Sequence, residues 1–174
     1  MGSEMCIRDR FITREIEHFI DPISRVTDKL STLSFMKYPA VLNNELIGTY
    51  DAQAHAGGGY TWDEVLEYRV WMHPERGAPD ECDGNDYFYA FETCEAALEY
   101  SKSNTGAEEP LALVLQKHHI NEPEPGVFEH ITTERITEWP VEFLSRPRRT
   151  ENTIPNFLAP DAPPNRFDII RGNV

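Results

Sequence analysis

The sequence predicts a small α+β domain in which one main helix packs on an antiparallel or mixed sheet. Three observations predict it. Leu66, Tyr68, Val70 and Met72 alternate with Glu67, Arg69, Trp71 and His73, the period-two pattern of a strand. Residues 86–92 repeat that pattern, with Tyr87, Tyr89 and Phe91 on one face. Directly after them, Thr93 offers an N-cap for a helix over Cys94–Ser103, with Ala97, Leu98 and Ser101 on its packing face.

The other elements follow in order along the chain. Residues 11–20 gather Phe11, Ile12, Ile16, Phe19 and Ile20 on one helical face, and Asp21-Pro22 ends that pattern. Residues 23–33 renew it with Ile23, Val26, Leu30 and Leu33, so two short N-terminal helices are expected. Residues 42–59 read as loop, and a helix start is expected at Thr61, with Asp63 and Glu64 in its first turn. The strands at 66–73 and 86–92 form a natural antiparallel pair across a turn-rich acidic connection. Gly106 marks a helix stop, and 111–115 (LALVL) reads as a buried central strand. Residues 121–126 (NEPEPG) read as loop, and 128–132 and 135–144 as further strands, the second interrupted at Pro140. From Ser145 the chain is expected to be irregular apart from one turn at 154–158. The expected organisation is a foreign segment 1–10, a single domain 11–144 and a Pro/Arg-rich tail 145–174. Residues 5–10 (Met-Cys-Ile-Arg-Asp-Arg) resemble the translation of a sequencing adapter met in metagenomic assemblies, so Cys6 is expected not to be native. Without residues 1–10 the net charge is still −14, because two acids and two arginines leave together.

Composition narrows the function. A chain of 174 residues is long enough to bury one core. No stretch of 18 apolar residues occurs, so no membrane partner is expected. A net charge of −14 repels phosphate backbones, which argues against nucleic acid as a partner. The charge is uneven: 145–174 carries five arginines against three acids. Such a tail can dock on its own body, dock on a second copy to form a homo-oligomer, or stay solvated. Three cysteines, an odd and sparse set, fit a reducing, cytoplasmic compartment rather than a disulfide scaffold.

The candidate site residues come mainly from the first strand pair. Rings crowd both of its faces, and only one face can be core. The other, with Arg69, Trp71, His73 and Phe88, either lines a pocket or partner surface or is covered by the same chain. Strand, strand, helix, strand and a late glutamate also resemble the layout of ADP-ribosyltransferases, with Arg69 and Glu138 as the arginine and glutamate. The six histidines show no metal-binding spacing, and adjacent His118 and His119 would point to opposite faces of a strand, so no metal site is expected. The acidic run 80–86 lacks the calcium-loop pattern and reads as a solvated turn. Cys94 sits at a helix start without a definable base and reads as a packed cysteine. No Gly-x-Ser-x-Gly elbow is present.

From about Leu33 onward the chain resembles a group of small alphaproteobacterial proteins that carry the label of GNAT-type N-acetyltransferases. The resemblance rests on Gly48-Thr49-Tyr50-Asp51-Ala52-Gln53, Tyr68-Arg69-Val70-Trp71, His73-Pro74-Glu75, Gly106-Ala107-Glu108-Glu109-Pro110-Leu111 and Glu134-Arg135-Ile136-Thr137-Glu138-Trp139. It implies acetyl-CoA as cofactor and acyl transfer as activity. The pyrophosphate loop would fall on Gln53-Ala54-His55-Ala56-Gly57-Gly58, with Gln53, Gly57 and Gly58 as cofactor-binding residues. Ala56 stands where that loop has its first glycine. The residues themselves favour a non-catalytic domain that binds a small molecule or a protein. Acyl transfer and, behind it, ADP-ribosyl transfer are the alternatives.

Overall fold

The computed structural model describes residues 38–56 and 59–174. The segment 1–10, the two helices expected over 11–33, Gly57 and Gly58 lie outside the described residues. Within them the chain runs through β1 (His55–Ala56), β2 (Glu64–Met72), β3 (Tyr87–Phe91), α1 (Cys94–Ser103), β4 (Leu111–Gln116), β5 (His119–Glu124), β6 (Val127–Ile131), β7 (Arg135–Pro140), α2 (Thr153–Leu158) and α3 (Arg166–Arg171). Five strands form one sheet in the order β1-β7-β4-β2-β3, and β5 and β6 pair separately as a hairpin. The larger sheet is mixed, because only the edge pair β1–β7 is parallel. The α+β expectation therefore holds, with 111–115 falling inside the central strand β4 as expected.

Register explains the two faces of the sheet. Tyr68 lies beside Phe91 and Ala112, and Ala112 beside Trp139. With Val70, Met72, Tyr87, Tyr89 and Val114 these residues make the apolar face under α1. The helix begins where Thr93 accepts a hydrogen bond from the Ala96 N–H at 3.2 Å, and it buries Cys94 and Ala97. Its Tyr100 packs edge-on against Tyr89 at 5.1 Å, a favourable geometry for two aromatic quadrupoles. The opposite face carries Glu67, Arg69, Trp71, Phe88, Leu113 and Glu138. The segment 48–54 covers part of it, as described below.

Three expectations are corrected. Thr61 and Asp63 do not start a helix; they lead into β2, and buried Asp63 accepts the Lys117 N–H at 2.7 Å. Residues 121–126 are not loop throughout, since His119–Glu124 is a strand paired with β6. Pro123 is tolerated there because β5 is an edge strand, and Pro125 lies in the turn that follows it. The chain after Ser145 is not irregular apart from one turn, because it carries both α2 and α3. It builds a second apolar cluster, in which Ile154, Phe157 and Ile170 meet Ile120 of β5 and half-buried Tyr60, Phe128 and Phe167. Among the described residues no helix is long and apolar enough to cross a membrane.

Candidate functional site

The second sheet face holds four of the sequence-derived candidates together. Arg69 is fully buried and spends all five N–H donors. Its Nε donates to Glu67 Oε1 at 2.6 Å. Its Nη1 donates to Glu138 Oε1 at 2.9 Å and to the Ala52 carbonyl at 3.4 Å. Its Nη2 donates to the carbonyls of Tyr50 and Asp51 at 3.3 and 2.7 Å. Its guanidinium lies 4.2 Å from the Phe88 ring centroid. Arg69 thus has nothing left for a ligand. It is a clamp that draws the segment 50–52 onto the sheet, which leaves the ADP-ribosyltransferase layout without its arginine. Phe88 is buried beneath the same clamp.

Trp71 and Glu138 stay at the edge of this cover. Trp71 Nε1 donates to Glu138 Oε1 at 3.2 Å, and both line a groove of about 880 Å³ with Gln53, His55, Glu134 and Arg135. His73 stands apart, at the far end of β2. Gln53 leads into β1 and then β2. Gly57 and Gly58 lie outside the described residues, and the first α-helix after Gln53 among the described residues is α1.

Sequence reasoning missed the adjoining cleft. It measures about 460 Å³, and Arg135, Arg146 and Arg171 all line it, together with Tyr60 and Glu122. Each arginine is brought by a different element. Arg135 opens β7, with its Nε donating to Gln116 Oε1 at 2.5 Å. Arg146 follows the 3-10 turn Val141–Ser145 and has its guanidinium carbon 4.0 Å from the Phe143 ring centroid, with Nη1 donating to the Gly59 carbonyl at 2.8 Å. Arg171 ends α3 and faces the Tyr60 ring at 5.7 Å. Gly59 is the pinch between them. It has φ +96°, and a β-carbon there would fall 2.8 Å from Arg135 Nη2 and from Gln116 Nε2.

Charge balance sets this cleft apart. The tail arginines Arg148 and Arg149 pair with Glu64 and Asp63, which docks the tail on its own body. None of Arg135, Arg146 and Arg171 makes an ion pair with a carboxylate among the described residues. Burial pulls Arg135 below the ordinary guanidinium range, and burial followed by the charge of Arg171 does the same to Arg146. Both remain cations at neutral pH. Three like charges held together in this way favour an incoming anion. No known protein family, curated protein or solved structure matches the chain.

Proposed function

We propose that the protein is a non-catalytic binding domain that captures a small anion, a phosphate or carboxylate group on a compact molecule, in the cleft of Arg135, Arg146 and Arg171. One observation carries this reading: three arginines that make no ion pair with a carboxylate among the described residues converge on one cleft in a chain of net charge −14. Guanidinium donors suit carboxylate and phosphate geometry, and a partly desolvated cleft strengthens each contact. The Tyr60 ring gives the remainder of such a ligand an apolar wall. Long polyanions are disfavoured by the net charge of −14 on the whole chain.

The test is a thermal-shift titration of the full chain with inorganic phosphate, pyrophosphate, citrate and acetyl-CoA. A ligand at a hundredfold over its Kd stabilises the native state by about 2.7 kcal/mol, a readable rise in Tm. Arg171→Ala, at an exposed position, is expected to weaken binding about tenfold, equivalent to about 1.4 kcal/mol. Affinity unchanged by that substitution, or no stabilisation by any of the four probes, would remove the proposal. Stabilisation by acetyl-CoA well beyond that by pyrophosphate would instead favour the acyl-transfer activity implied by the resemblance.

A further inference from the structure

His73 is a sequence-derived candidate that lies outside the groove, the cleft and the Arg69 clamp. It is the last residue before Pro74, and a following proline restricts it to extended backbone, here φ −116° and ψ 105°. Pro74–Arg76 then forms a single 3-10 turn, closed by the Gly77 N–H on the Pro74 carbonyl at 3.0 Å. The turn folds Glu75 back onto the end of its own strand. Asp86 stands at the other end of the connection, one step beyond the Met72–Tyr87 pair and so opposite His73. As a result His73 Nδ1 lies 3.0 Å from Asp86 Oδ1 and 3.7 Å from Glu75 Oε1. One ligand atom from each of the three residues lies within 4.8 Å of the others. On the far side of the ring, Nε2 lies 3.0 Å from Glu108 Oε1. Gly106 packs against the same connection. It takes the His73 N–H on its carbonyl at 2.9 Å, and at its φ of +76° a β-carbon would fall 2.3 Å from the Ala78 nitrogen.

Two independent features point to a cation. The His73 side chain is only 9% exposed, yet neither ring nitrogen makes a hydrogen bond, although a carboxylate oxygen lies 3.0 Å from each. A buried polar ring left in this way is costly unless something binds it. Meanwhile Glu75 and Asp86 are 59% and 44% exposed, so a cation can reach Nδ1 from solvent. The connection 74–86 supplies five acids against one arginine, a negative field at the entrance.

We propose that His73, Glu75 and Asp86 form a site for a divalent transition cation of the zinc or manganese type, bound by one imidazole nitrogen and two carboxylate oxygens. Donors about 2.0–2.2 Å from such an ion sit at mutual separations of the kind observed. The imidazole disfavours magnesium and calcium, which prefer all-oxygen sets. With a cation on Nδ1 the ring proton would reside on Nε2, 3.0 Å from Glu108 Oε1, the neighbour that a carboxylate–histidine–metal arrangement calls for. Arg76, 3.0 Å from Glu108 Oε1 and 3.4 Å from Glu75 Oε1, holds those two acids beside the ring.

The experiment uses the untagged full chain stripped with chelator, with Zn²⁺ titrated by calorimetry and Co²⁺ followed by its visible spectrum. One ion per chain is expected, with Mg²⁺ binding far more weakly. Glu75→Gln and Asp86→Asn, both at accessible positions, should each weaken Zn²⁺ by at least about tenfold while the Tm of the metal-free protein stays close to that of the parent. His118→Ala removes the separate His118–His130 pair, whose nitrogens are 3.0 Å apart, and should leave Zn²⁺ affinity unchanged. Absence of Zn²⁺ binding in the parent overturns the proposal. So does affinity preserved in either carboxylate variant, or affinity lost in His118→Ala.

Discussion

At the scale of single residues, the protein commits its strongest electrostatics to holding a loop. Glu67 is fully buried, with Oε1 on Arg69 and Oε2 accepting the Gly48 N–H at 2.7 Å. Breaking one partner of a buried pair strands the other charge, at a cost of about 3–5 kcal/mol. Glu67→Gln is therefore expected to lower stability by about that much in urea unfolding, and a loss under about 1 kcal/mol would contradict the clamp. Strand alternation placed Glu67, Arg69 and Trp71 on one face from sequence alone. It could not show that 48–54 returns over that face, because the carbonyls that hold Arg69 are backbone atoms of a segment with no pattern of its own. The arginine cleft was hidden for a related reason: Arg135, Arg146 and Arg171 are far apart in sequence, and only the tertiary fold brings them together.

At the scale of elements, the last thirty residues are part of the packing. Phe157 stacks on Tyr60 at 5.8 Å and meets Phe128 and Phe167 edge-on at 5.3 and 5.2 Å. Arg166 lies over the Phe157 ring at 4.8 Å and donates to the Phe157 carbonyl at 3.1 Å. Phe157→Ala is expected to cost about 3–5 kcal/mol. It should also weaken anion binding, because Tyr60 and Arg171 lose their support. Intact anion affinity in that variant would separate the cleft from the tail. The contrast between α1 and the tail helices shows what a sequence can reveal. α1 has ten residues and a capping threonine, both local signals, and its bounds were readable. α2 and α3 have six residues each and no side-chain cap hydrogen bond, so packing rather than propensity makes them helical. Asp63 misled for the opposite reason. An acid near a helix start and an acid that accepts from Lys117 and Arg149 look the same in sequence.

At the scale of the whole molecule, the junction between the two sheets is expected to respond to pH through His119. His119 opens β5 and is buried, with no hydrogen-bond partner for Nδ1. Burial holds its pKa below the ordinary histidine value of 6.5, and Arg135, His55, His118 and His130 add repulsion from β7, β1, the start of the hairpin and β6. The sign of the effect follows from linkage. Above about pH 6.5 neither folded nor unfolded chain protonates this ring, and its contribution to stability is intact. As pH falls through that value the unfolded chain takes up the proton first, so stability drops until the pH passes below the folded pKa. The drop should appear in urea midpoints measured at pH 7.5 and 5.5, and His119→Gln should make it smaller. The acidic surface works against this effect only weakly, because the carboxylates lie mostly at the surface, where water screens them. An equal midpoint shift in parent and variant would assign the pH response to other groups and leave the junction a matter of packing alone.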